Sequence, residues 1–181
     1  AKKLAAMARD LGFEVTEGVG KTGVVAVMRN GEGPTVMLRA DMDGLPVVEQ
    51  TGLEYASKVV ATPASGVETG VMHACGHDAH TASLLMCAKI LNEIKSDLKG
   101  TVNLLFQPAE ELMPGGASLV VKEKAYTDME SQPHIGQHVR PDIPKGKVGF
   151  RAGKFMASMD ELFLTVKGKG GHAAMPDKAI D

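Results

Sequence analysis

The segment DAHTASLLMCAKILNEI, residues 78–94, constrains the fold more than any other stretch of the chain. It is long enough for a helix of about four turns. Apolar side chains fall on most of its sides, which predicts a buried helix. Such a helix needs cover, and the neighbouring sequence supplies it as strands. TVMLRA (35–40) precedes the helix and GTVNLLF (100–106) follows it, both short and apolar. Strands that alternate with helices predict an α/β layered sheet.

The remaining elements fit that frame. GVVAVMR (23–29) and TVMLRA are β-rich runs separated by NGEGP, which predicts a hairpin. Leu4, Met7, Ala8 and Leu11 follow helical spacing, with Gly12 as a plausible stop. GGASLVVKEKAY (115–126) predicts a helix, and HIGQHV (134–139) and GKVGFR (146–151) predict short strands. Residues 41–77, rich in Gly, Pro, Ser and Thr, read mostly as loop. DELFLTVKGK (160–169) alternates, with Leu162, Leu164 and Val166 on one face and Glu161, Phe163, Thr165 and Lys167 on the other. That predicts a strand opening a second unit, after the candidate boundary FRAGKFMAS.

Composition excludes some functions. With a net charge of −2 there is no electrostatic case for nucleic acid or an acidic membrane surface. No run of about 18 apolar residues exists, so no membrane span is expected. Two cysteines, Cys75 and Cys87, make no disulfide framework, and the setting is expected to be cytoplasmic. Cys87, mid-helix among apolar neighbours, reads as core. The chain opens inside an apparent helix without an initiator Met and closes at Pro176-Asp177, which resembles a helix start. It is therefore expected to be a fragment.

The chemistry is concentrated in MHACGHDAH, residues 72–80, which holds three of the six histidines and one of the two cysteines. Three further segments carry acids or imidazole at the ends of apolar runs. TVMLRA leads to Asp41 and Asp43, TVNLLFQPA to Glu110 and Glu111, and HIGQHV to His138. In open α/β sheets, sites form beyond the carboxyl ends of strands, so these segments can share one rim. The helix after Cys75 would favour a thiolate there through its N-terminal dipole.

Each residue has a functional and a bland reading. Cys75 and His77 can reach one divalent ion because Gly76 between them has no side chain; otherwise they are a buried Cys and a surface His. Glu110 and Glu111 point different ways, so one carboxylate can bind metal while the other carries a proton. Otherwise they are a solvated acidic pair. His138 is a ligand or a structural histidine. Asp43 orients an imidazole from outside the ligand set or is a turn residue before Gly44. Asp41 has the same two readings, with the turn favoured.

LRADMDGLP, MHACGHDAHTA, FQPAEE, GQHV and GKGGHAAMP occur in this order. Together they resemble the metal-dependent amidohydrolases of the aminoacylase, hippurate hydrolase and auxin–amino acid conjugate hydrolase type, within the carboxypeptidase-like exopeptidase superfamily. The likeness covers about residues 35–181. It implies a three-layer α/β/α catalytic domain, here 1–155, and the truncated start of an inserted α+β lid and dimerisation domain, here 156–181. It implies two divalent metal ions (Zn, Mn, Co or Ni) held by Cys75, His77, Glu111 and His138, with Glu110 as general acid and base. His172, in GGHAAMP, would contact substrate. Asp78 and His80 would support or cap the site from the first helical turn, and His73 is unassigned.

The implied activity is hydrolysis of N-acyl amino acids or related amides by a metal-activated water, in a homodimer or homotetramer. A metallo-dipeptidase or carboxypeptidase, a thiol hydrolase using Cys75, and an inactive metal-binding fragment are the rivals. Where the wider superfamily has His-x-Asp, this chain has Asp41-Met42-Asp43, which argues against Asp41 as a ligand. Where related chains carry His after the Pro of the lid motif, this one has Asp177. The last metal-binding His of the family would lie beyond residue 181.

Overall fold

The computed structural model describes residues 1–63, 66–125, 133–157, 160 and 162–180. In chain order the main elements are α1 (Lys2–Asp10), β1 (Glu14–Val19), β2 (Gly23–Asn30), β3 (Thr35–Asp41), β4 (Val60–Ala61), β5 (Thr69–Gly70), α2 (His77–Glu93), β6 (Gly100–Gln107), α3 (Gly116–Glu123) and β7 (His134–Gly136). The chain divides into two compact units, Ala1–Arg140 and Pro141–Asp181.

The first unit is built on a five-stranded sheet of order β1-β2-β6-β3-β7. β1, β2 and β6 run antiparallel, whereas β6, β3 and β7 are mutually parallel. The period of two along each strand divides the core between two faces. Val24, Ala26, Met28, Ala40, Leu104 and Phe106 pack with Ala5 and Ala8 of α1 and Leu84 and Ala88 of α2. On the other face Val19, Val25, Met37 and Leu105 pack with Val120 of α3. Helices thus cover both faces, and the unit is a three-layer α/β/α fold.

The expected hairpin of β2 and β3 does not form, because β6 lies between them. Both runs are apolar enough to be central strands, and the 31–34 loop instead crosses the start of β6. Pro34 O accepts the Thr101 N–H at 2.9 Å. Gly100 makes that crossing possible: its φ is +105°, and a Cβ there would lie 2.1 Å from Pro34 O. The hairpin joins β1 to β2 instead. β1 escapes a hydrophobicity reading because most of its residues are exposed on this edge strand.

α2 buries one stripe, His77, His80, Leu84 and Ala88. Met86 and Ile90 are exposed and so is Cys87, so neither the all-round burial of the helix nor the core position of Cys87 holds. The helix lies on a sheet face, which covers one side of it and no more. Within 41–77, β4 and β5 form a small antiparallel ribbon, and Leu45 bridges to Met72, so this stretch is less irregular than its composition suggests.

In the second unit Lys169 and Ile180 form an isolated bridge and Pro176–Lys178 a single 3-10 turn. The strands expected at 146–151 and 160–169 are absent among the described residues. Glu161 lies outside them. Val148, Phe150, Leu162 and Leu164 are each at least 80 % exposed. Alternation marks a chain suited to a sheet, but a strand exists only where a neighbour completes its hydrogen-bond ladder.

Candidate metal centre

Because β3, β6 and β7 are parallel, their carboxyl ends share one rim. Asp41 ends β3, Glu110 and Glu111 follow β6, His138 follows β7, and α2 begins there with His77. Just before the acidic pair, Ala109 adopts φ +48°, a left-handed turn that is uncommon for a residue with a Cβ. Glu111 is anchored through its backbone, its N–H donating to Asp43 Oδ2 at 3.0 Å.

His77 is 1 % exposed. Its Nδ1 lies 3.0 Å from the Asp43 carbonyl, which can only accept, so the ring proton sits on Nδ1 and the lone pair on Nε2. That Nε2 is buried without a hydrogen-bond partner. Around it stand Glu111 Oε1 at 3.7 Å, Asp41 Oδ1 at 3.8 Å and Glu110 Oε2 at 3.9 Å. A lone pair facing carboxylates is a costly arrangement unless a cation lies among them.

Cys75 and His138 complete the cluster. Cys75 Sγ lies 3.3 Å from His138 Nε2, although 63 residues separate the two in sequence. The other nitrogen of that ring, Nδ1, donates to Val139 O at 2.7 Å. The ligand atoms of Cys75, His77 and His138 all lie within 4.8 Å of one another, and so do those of His77, Glu110 and Glu111. Thiolate, imidazole and carboxylate are a donor set for zinc or a related divalent ion, so these residues fit the expected metals.

Burial pushes the Cys75 thiol up to about 11, helped by Glu111, Glu110 and Asp41. The helix dipole expected to favour a thiolate is therefore outweighed by burial and by these carboxylates. A cation bound at the site would reverse that balance.

Asp41 is not a turn residue. It is the last residue of β3 and 1 % exposed. Burial alone would raise its carboxyl, but the hydrogen bond from His80 and the charge of Arg39 outweigh that and hold it below its ordinary value. Arg39 donates to Asp41 Oδ2 at 2.7 Å, and His80 Nδ1 lies 2.5 Å from Oδ1. Asp41, His77 and His80 form a third group of potential ligand atoms within 4.8 Å.

Asp43 orients His77 through its backbone carbonyl, with its carboxylate Oδ1 at 3.4 Å. The same carbonyl accepts from His73 Nδ1 at 3.1 Å, which gives the unassigned His73 a place beside the cluster. Asp78 is exposed on the first turn of α2, where a negative charge suits the helix dipole. With Glu49 it borders an open hollow of about 460 Å³ walled by Leu53, Val59, Val71 and Met72. His172 belongs to the second unit, where its Nδ1 accepts the Ala174 N–H at 3.1 Å.

Arg39 and Val139 were not singled out in the sequence. An Arg two positions before Asp41 on the same strand face was the available signal for one; nothing marked the other, which acts through its backbone.

The profile of peptidase family M20/M25/M40 matches residues 37–179. The chain is 45 % identical over 162 residues to an N-acetylcysteine deacetylase of Bacillus subtilis, covering 89 % of this chain and 40 % of that protein. It is 42 % identical over 182 residues to a hippurate hydrolase of Campylobacter jejuni, covering 100 % of this chain and 44 % of that protein. Among solved structures it resembles a Bacillus subtilis protein described as a dinuclear metal binding peptidase from the M20 family. There the TM-score is 0.66 and the identity 40 %, covering 79 % of this chain and 37 % of the other. The chain thus spans about two-fifths of the length of the curated relatives it matches.

Proposed function

The chain belongs to peptidase family M20/M25/M40, and from that premise we propose that the protein hydrolyses the amide bond of N-acyl amino acids with two divalent metal ions. The observation that carries the reading is the buried, unpartnered Nε2 of His77, enclosed by Glu110, Glu111 and Asp41 with Cys75 and His138 alongside. Cys75, His77, Glu111 and His138 would hold the metals. When bound, such ions lower the pKa of water and polarise a carbonyl. Glu110, the more exposed of the acidic pair at 41 % against 26 %, takes the proton of the attacking water and delivers it to the leaving amine nitrogen.

The hollow beside the cluster suggests how the substrate lies. Leu53, Val59, Val71 and Met72 make its walls mainly apolar, with Tyr55, Ser57 and His73 between them, and its carboxylates, Glu49 and Asp78, give it an acidic edge. It suits an uncharged acyl group and repels the substrate's carboxylate. A thiol nucleophile is the weaker alternative, because a Cys75 thiol near 11 is protonated at neutral pH. The peptidase description of a similar structure favours a second reading, a dipeptidase or carboxypeptidase with the same machinery.

Substrate contact by His172, support of the site by Asp78 and a homodimeric or homotetrameric assembly rest on the resemblance alone. The start of a lid at residues 156–181 rests on it together with the alternation of residues 160–167, and a cytoplasmic setting rests on the composition and the two cysteines. Among the described residues no helix is long and apolar enough to cross a membrane.

The test is metal analysis of the full-length protein joined to an amine-release assay on N-acyl amino acids and dipeptides. We expect bound divalent metal, and turnover that a chelator removes and metal restores. Preference for dipeptides would move the assignment to the second reading. Turnover in metal-free protein, blocked by alkylation of Cys75, would overturn it.

A further inference from the structure

We propose that His80 is a positioning residue for His138, acting through the backbone of Val139; the inference rests on the metal-centre reading above. His80 is fully buried, and every polar contact of its ring is assigned. The Val139 N–H donates to His80 Nε2 at 2.9 Å. An N–H donor requires a lone pair opposite it, so Nε2 is unprotonated and the single ring proton is on Nδ1, pointing at Asp41 Oδ1 2.5 Å away. Asp41 is held in turn by Arg39, whose Nε donates to Gln107 Oε1 at 2.9 Å.

Val139 then acts at both of its ends. Its N–H is fixed by His80, and its carbonyl accepts from His138 Nδ1 at 2.7 Å. That second bond leaves the His138 Nε2 lone pair facing Cys75 Sγ. A chain of hydrogen bonds therefore runs from the ends of β6 and β3 (Gln107, Arg39, Asp41) through His80 on α2 to Val139 and His138 beyond β7. β7 is only three residues long and exposed, so the short strand alone gives the segment that follows it little hold. His80 supplies the hold, and with it the direction of the His138 ring.

The two nitrogens of His80 can be separated by substitution in the full-length protein. Gln keeps an acceptor near the Nε2 position, while Asn keeps a donor near Nδ1 and loses the reach to Val139. Binding of Zn²⁺ and Co²⁺ is followed by calorimetry and by the thiolate-to-cobalt absorption band, with thermal melts in parallel. Partners that orient a metal-binding histidine typically contribute about 10- to 100-fold in metal affinity. We expect His80→Asn to weaken binding by about that factor and to shift the cobalt band, and His80→Gln to retain most of the affinity. In a His138→Ala background, His80→Asn should add nothing further, since the two act in series. A merely structural His80 lowers the melting temperature in both backgrounds and leaves affinity alone; that result overturns the positioning role. Equal loss in Gln and Asn, or full additivity with His138→Ala, overturns it as well. If the wild-type protein binds neither ion, the metal-centre reading fails and this inference fails with it, which the wild-type titration reports separately.

Discussion

Adjacent carboxylates with different neighbours should have different jobs, and Glu110 and Glu111 are the sharpest case in the chain. Glu111 is tied by its N–H to Asp43 and lies the nearer to His77 Nε2. Glu110→Gln in the full-length protein should keep metal stoichiometry and lose kcat by about 10²- to 10⁴-fold, the usual contribution of a general acid–base group. Glu111→Gln should lose metal first. Metal retained by Glu111→Gln but lost by Glu110→Gln would reverse the roles. Cys75 offers a pH test. Its thiol stands at about 11 against an ordinary 9.0, so the folded, metal-free protein holds that proton more tightly than the unfolded chain. The associated stability is complete below about 9 and is lost as pH rises through about 11. At pH 8 the two-unit shift leaves Cys75 about a hundredfold less thiolate than an ordinary cysteine. With Cys87→Ala removing the exposed competitor, alkylation of metal-free protein should therefore titrate with a midpoint near 11. A midpoint near 9 would mean that neither burial nor the carboxylates govern this thiol. Glu110, Glu111 and Cys75, and the positions of His77 and His138, were legible in the sequence because each stands at the end of an apolar run or in the one His/Cys-rich stretch. The use of Asp41 was not, since its partners Arg39 and His80 are set by the strand face and by helix contacts that no local motif records.

Elements carry the site as much as residues do, and Gly76 shows how closely they approach. It has φ +78°, and a Cβ there would lie 2.4 Å from Val139 Cγ2. Besides the proposed reach of Cys75 and His77 to a metal, the Cys-Gly-His spacing lets the segment after β7 pass against the start of α2. Gly76→Ala combines a left-handed backbone cost of about 1–2 kcal/mol with displacement of Val139, whose carbonyl holds His138. Metal affinity should fall about tenfold or more. Truncating Val139 as well relieves the contact but not the backbone cost, so the Gly76→Ala/Val139→Ala pair should recover part of the affinity. Wild-type binding by Gly76→Ala would show that the close approach is not needed. At this scale the sequence is a good guide to which elements exist and a poor guide to which pair. α2, β2, β3, β6, α3 and β7 follow from their apolar patterns. The placement of β6 between β2 and β3 depends on the crossing of Pro34 over Gly100, a contact between segments 66 positions apart. NGEGP has good hairpin chemistry, but local chemistry yields when two central strands each need neighbours on both sides.

For the whole molecule, the two compact units differ in how much apolar surface they leave uncovered. In the first, the sheet and three helices enclose two core clusters. In the second, Leu162, Phe163, Leu164 and Val166 are 73–88 % exposed despite a pattern suited to a half-buried strand. The alternation was visible in the sequence, but the cover such a strand needs was not, because cover depends on what pairs with it. Exposed apolar side chains in a row form a surface that binds dyes and other chains. The 181-residue chain by itself should therefore bind the hydrophobic dye ANS and self-associate as its concentration rises. Leu162→Lys with Leu164→Lys should reduce both, because charge on an exposed segment with a strand-like pattern opposes its pairing with other chains. Substitutions at exposed positions usually change stability by no more than about 0.5 kcal/mol. The double variant should accordingly keep zinc affinity within about a factor of two, since the Cys75, His77, Glu111 and His138 cluster belongs to the first unit. Dye binding and sedimentation measure the first effect and zinc calorimetry the second. Unchanged dye binding would mean that these side chains are covered in solution, and a large loss of zinc affinity would mean that the metal centre depends on them.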